Sequence, residues 1–233
     1  YPRYKEILTG NADPTIKSNA KIYNKNVTVL EKLNQTNNYK NKIAAFASWD
    51  VFPYIINDKR SGIPVNAGYM EELNIKTPVV DYINKNQKRT PIIWENVRLD
   101  VYTHNLALEY IKKKKPKLVY IAYGETDDFA HGEKYDFYIN SLNYTDNMIA
   151  ELWGYVQINK FYKDNTYFII TTDHGRGLME DWSGHGTSKA SWLAILGPNI
   201  EKTGLVEGEF FTNQIAETIM QISKKSKTKI PTD

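Results

Sequence analysis

Short apolar runs alternate with longer stretches of helical spacing along this chain, and that alternation leaves few architectures open to it. The runs at residues 43–49, 118–123, 167–172 and 192–196 are rich in branched and aromatic side chains and read as strands. Val101, Leu106, Leu108 and Ile111 recur at helical spacing within residues 98–114, and residues 19–35, 138–159 and 210–222 also read as helices. Residues 52–91 are polar, carry Gly, Pro and Asn, and are expected to form loops with short elements. Strands alternating with helices predict an α/β fold with a mostly parallel central sheet and helices on both faces. At 233 residues and 41% hydrophobic, without an internal repeat or low-complexity linker, one domain is the expected organisation.

The polar residues that follow these runs carry the chemistry. Asp127-Asp128-Phe129-Ala130-His131 follows KLVYIAYGET, Asp173-His174-Gly175 follows TYFIITT, and Gly184-His185-Gly186 precedes SWLAILGP. Of the 4 histidines in the chain, His104 alone lies outside these clusters. Carboxylate with imidazole is the ligand set for zinc or a similar divalent ion. Asp127, His131, Asp173, His174 and His185 together exceed one tetrahedral site, which points to two metals, zinc or manganese. In open parallel sheets ligands bind beyond the carboxyl ends of the strands, where the first two clusters fall. Asp127 and His131 are four apart and share a face if the segment is helical.

Each cluster alone has a plainer reading. Asp127 could cap a short helix, Asp128 competes for its role, and Gly-His-Gly is by itself a flexible loop. Arg176 is either a clamp for an anionic substrate or an exposed loop arginine. His104 reads as a packed or surface helix histidine, Trp49 as core, and Asp50 as a strand-end cap. The Lys112-Lys113-Lys114-Lys115 run reads as a solvated helix end, where cations suit the helix dipole.

Composition excludes several classes. Without cysteine there are no thiolate zinc sites, disulfides or cysteine nucleophiles within these residues. A net charge of +3 from 30 basic and 27 acidic residues gives no sign of nucleic-acid binding. No apolar stretch has the ~18 residues of a membrane span.

Taken together, Asp127-x-x-x-His131-Gly132, Thr172-Asp173-His174-Gly175 and Gly184-His185-Gly186-Thr187 resemble the alkaline phosphatase superfamily, most of all its type I phosphodiesterase/nucleotide pyrophosphatase branch. The closing FFTNQIAETIM is similar to the last helix of sulfatase-like catalytic domains, so the resemblance covers residues 1–222. It implies one metal on Asp127, His131 and His185, and a second on Asp173 and His174 with an aspartate after the first strand and the nucleophile. The family's Thr/Ser/Cys-x-Pro motif, with Thr-Gly seven and eight positions after the proline, matches Pro2 and Thr9-Gly10. This puts the nucleophile immediately before Tyr1, so residues 1–233 are expected to be a single catalytic domain without its N-terminal strand and nucleophile segment. Asn19 and Arg176 are candidate substrate contacts. The implied activity is hydrolysis of small phosphoric esters; sulfatase, phosphomonoesterase or phosphoglycerate-mutase-like chemistry, or a non-catalytic binding homologue, are the alternatives. Many relatives are periplasmic or extracellular.

Overall fold

The computed structural model describes residues 1–185, 190–201 and 203–225. Its elements are α1 (Pro2–Thr9), α2 (Val29–Asn34), β1 (Ile43–Ala47), α3 (Phe52–Ile56), α4 (Asp58–Ser61), β2 (Val65–Ala67), α5 (Pro78–Asn86), α6 (Asp100–Lys114), β3 (Leu118–Ala122), α7 (Glu125–His131), α8 (Tyr135–Ile158), β4 (Phe168–Thr171), β5 (Leu193–Leu196) and α9 (Gln214–Lys225). No helix among the described residues is long and apolar enough to cross a membrane.

The fold is α/β, as expected. β1 is the middle of a parallel three-stranded sheet, order β2-β1-β3, with Ala45 opposite Val65 and Tyr120. Side chains alternate across a strand, so the buried residues of β1 serve two cores. Ile43, Ala45 and Ala47 face a cluster with Leu8 of α1, Leu30 and Leu33 of α2, Phe52 and Ile55 of α3 and Ala216 of α9. Ala44 and Phe46 face the other way, onto Val80 and Ile83 of α5 and Leu106, Ala107 and Tyr110 of α6. Cutting back Phe46, 1% exposed, removes about 3–5 kcal/mol on the scale of core Phe→Ala changes. A third cluster joins Leu108 and Ile111 of α6 to Leu152 and Val156 of α8, against Val119 and Ile121 of β3 and Phe168 of β4.

The later strands depart from a single parallel sheet. β4 and β5 pair antiparallel, Phe168 opposite Leu196, in a sheet of their own. Among the described residues, β3 and β4 are each hydrogen-bonded along one edge.

The helices expected over residues 98–114, 138–159 and 210–222 are present as α6, α8 and α9, and two other expectations change. α1 opens with proline in its first turn and closes at Gly10, φ 75°, the left-handed conformation that suits glycine. The helix expected over residues 19–35 shrinks to α2. Asn24 explains the loss: its Nδ2 donates to Ile55 O, its backbone N–H to Tyr54 O, and its carbonyl accepts from Asn57 Nδ2. Those bonds hold the segment extended in competition with helix, and Thr28 Oγ1 then caps α2 at Glu31 N–H. Residues 52–91 contain more regular structure than expected, including the nine-residue α5, capped by Thr77.

Candidate metal centre

α7 begins just past the carboxyl end of β3 and carries both Asp127 and His131. On that one face Asp127 Oδ2 lies 3.4 Å from His131 Nε2. Asp173 and His174 follow the carboxyl end of β4, and His185 lies in the loop before β5. Gly186 and Thr187 of its motif fall outside the described residues.

All five predicted ligands meet around Asp127. Its Oδ1 stands 3.6 Å from His174 Nε2 and 3.3 Å from His185 Nε2. Asp173 Oδ2 is 3.5 Å from His174 Nε2. The His174 and His185 rings lie 3.9 Å apart between centroids, and His131 and His185 4.5 Å. Asp127, His174 and His185 each offer a donor atom within 4.8 Å of the others, a spacing that suits one small divalent ion. That trio takes one member from the Asp173-His174 pair, so the geometry runs across the two-site division that the sequence implies.

Local bonds prepare the ligands. His174 Nδ1 is 3.0 Å from Gly175 O; a carbonyl only accepts, so Nδ1 carries the proton and Nε2 is left as the electron-pair donor. Burial, then the neighbouring His174, pushes the His185 imidazole down, which favours its neutral, ligating form. Burial raises Asp173, an effect His174 opposes. Burial and the neighbouring Asp127 push Asp128 up to about 7. Of the adjacent carboxylates, Asp127 is the one that faces the histidines.

Arg176 is not held out towards solvent. Its guanidinium donates to Asp127 Oδ1, to Asp127 O at 3.1 Å and to Ser183 O at 3.1 Å. Asn19 sits at the start of α1, where its Oδ1 and the Ser18 carbonyl accept from the Tyr1 nitrogen. Asn19 also lines a cleft of about 540 Å³ with Lys21, Trp49, Asp50, Val51, Glu95 and Asn96. Trp49 packs against Tyr4 and Phe52, while Asp50 pairs with Lys21 at 2.6 Å.

A buried polar layer at the start of α7 has no motif to announce it. Arg98, fully buried, donates Nε to Thr103 Oγ1 at 2.9 Å and Nη2 to Ala47 O at 3.2 Å. Thr103 Oγ1 lies 2.8 Å from Ser48 Oγ, which in turn donates to Asp100. His104, read as a plain helix histidine, is buried between Tyr123 Oη at 2.9 Å and Glu151 Oε2 at 3.0 Å. A signal for Asp100 exists, an acidic residue where a helix starts, but its partners lie on another element.

Residues 95–225 match the Metalloenzyme superfamily, and the chain belongs to that family, which falls within the alkaline phosphatase-like superfamily. Metal-dependent catalysis is thus its class of chemistry. None of the curated proteins matches the chain.

Proposed function

We propose that this chain is the catalytic core of a hydrolase of phosphoric esters, of the phosphodiesterase/nucleotide pyrophosphatase type. Two divalent ions, zinc or manganese, and a Thr or Ser nucleophile at the position before Tyr1 complete the site. The convergence of Asp127, His174 and His185 at the strand ends carries the reading. The donor set fits such an ion: one carboxylate and two imidazoles, with the His174 tautomer already fixed.

The bound ions supply Lewis acidity and positive charge where negative charge develops on the phosphoryl oxygens. The chain's own groups do the rest. His131 holds Asp127 at Oδ2, and His174 and His185 hold it at Oδ1, which fixes the carboxylate relative to both loops. Asn19, at the start of α1, is placed to orient the transferring group, and its cleft accommodates the ester's alcohol part. Arg176 offsets the charge of Asp127.

The open edges of β3 and β4 support the rest of the proposal. Both strands are apolar and mostly half-buried, and each has an edge without a backbone partner among the described residues. One further strand, carrying the aspartate expected ahead of Tyr1, would pair with such an edge.

The test is elemental analysis of the purified protein with hydrolysis of bis-p-nitrophenyl phosphate, p-nitrophenyl phosphate and p-nitrophenyl sulfate. About two equivalents of metal with preference for the diester supports the reading. With the nucleophile-bearing segment included, preference for the monoester or sulfate moves the chain to another branch, metal without turnover on any of the three points to a narrower substrate or a binding homologue, and absence of metal refutes the proposal.

A further inference from the structure

The helix that carries Asp127 and His131 is short, and its amino end is held from outside. Asp100 opens α6 and is 1% exposed. Its Oδ1 accepts the Gly124 N–H at 2.8 Å and its Oδ2 the Glu125 N–H at 3.0 Å, so two of the free amides at the start of α7 are satisfied from α6. The exchange is mutual: Glu125 Oε1 accepts the Asp100 N–H at 2.7 Å. Each helix therefore uses a side chain at its own start to cap the other. Within one helix, a capping box does the same with residues three apart; here the two partners come from elements on either side of β3.

Gly124 closes the joint. A Cβ there would come within 2.9 Å of Val97 Cγ1, so a larger residue would press α7 against the segment just before α6. Asp100 is itself fixed by Ser48 Oγ, and Ser48 N–H and O bond Ala122 O and Arg98 N–H, which ties the joint to the ends of β1 and β3. Position errors in a ligand of about 1 Å are enough to spoil a metal site, and outer partners of ligands commonly affect affinity 10–100-fold.

We infer that Asp100 and Glu125 are positioning residues that set the pose of α7, and through it the placement of Asp127 and His131 for metal binding. The inference rests on the metal centre proposed above. Neither residue touches the ligands' donor atoms; they act through the backbone of α7.

The experiment measures dissociation constants for Zn²⁺ and Co²⁺, with the visible spectrum of the Co²⁺ form, for wild type, Glu125→Ala, Glu125→Gln and Asp100→Ala, all as the full chain. Glu125→Ala removes the acceptor for Asp100 N–H, whereas Glu125→Gln keeps a carbonyl oxygen in its place. The expected result is affinity weakened about 10–100-fold and an altered Co²⁺ spectrum in Glu125→Ala, with the glutamine variant restored to near wild type. Asp100→Ala should match or exceed the loss; if it does not fold, the Glu125 pair decides alone. Unchanged affinity and spectrum in Glu125→Ala, with or without a fall in Tm, overturns the positioning role. A wild type that binds neither ion refutes the metal centre itself, a separate outcome.

Discussion

Asp127 Oδ1 lies 3.3 Å from His185 Nε2, which joins the helix after β3 to the loop before β5. Asp127 is also the residue that touches His131, His174 and Arg176. Asp127→Ala should therefore remove metal from the whole centre, with affinity lowered at least about 100-fold. Its side chain is 42% exposed, so the change should leave the far-UV circular dichroism of the metal-free protein almost unaltered, while the lost contacts to Arg176, His174 and His185 lower its Tm. Isothermal titration with Zn²⁺ tests this, and binding within tenfold of wild type would contradict it.

Asp173 and His131 test the number of ions. Each lies at one side of the Asp127–His174–His185 trio, Asp173 on His174 and His131 on Asp127. With two sites, Asp173→Ala and His131→Ala should each lower metal content by about one equivalent and keep the other. One equivalent in the wild type and none in either variant would mean one site.

Asp100 sets a pH dependence of stability. Burial, and then the charge of Glu125, push its carboxyl up to about 7. A free aspartate titrates near ~3.9. A folded value above the unfolded one means the folded protein holds this proton more tightly. The contribution is fully present below the unfolded pKa and is lost as pH rises through about 7. Between about pH 5 and 7 the slope approaches one proton, roughly −1.4 kcal/mol per pH unit from this group alone. Asp100→Asn should flatten that part of the profile by the same amount, as read by denaturant unfolding at pH 5, 6 and 7. An identical slope in both proteins would exclude it.

Lys115 ends α6 in the left-handed conformation, φ 49°. A residue with a Cβ pays about 1–2 kcal/mol there, which glycine avoids. Against this, Lys115 Nζ sits 5.9 Å from the Phe161 ring, an exposed cation–π contact of about 0.5–1 kcal/mol. The helix end wins by the difference: Lys115→Gly should stabilise by about 0.5–1 kcal/mol, visible as a raised Tm.

Much of the fold was legible because it rests on local signals. β1, β3, β4 and β5 are apolar runs of strand length. The spacing of Asp127 and His131 was readable because one helical face needs only a four-residue step. What could not be read involves partners distant along the chain. Asn24 breaks the expected helix through Tyr54, Ile55 and Asn57. Asp100 has the look of an ordinary helix start until Gly124 and Glu125 are placed beside it. The grouping of His174 with Asp127 depends on how far apart β3 and β4 stand, a distance no motif encodes.

That distance has a mechanical consequence. No backbone ladder among the described residues joins β3 to β4, so the two sheets meet through side chains: the packing around Phe168, and the contacts of Arg176, His174 and His185 with Asp127. An ion held by that trio is a rivet through the seam. At a free concentration 100 times its dissociation constant it would add about 2.7 kcal/mol to the folded state. Chelation should then slacken the seam before it unfolds the chain, and the amides of β4 and β5 would be the first to exchange with solvent.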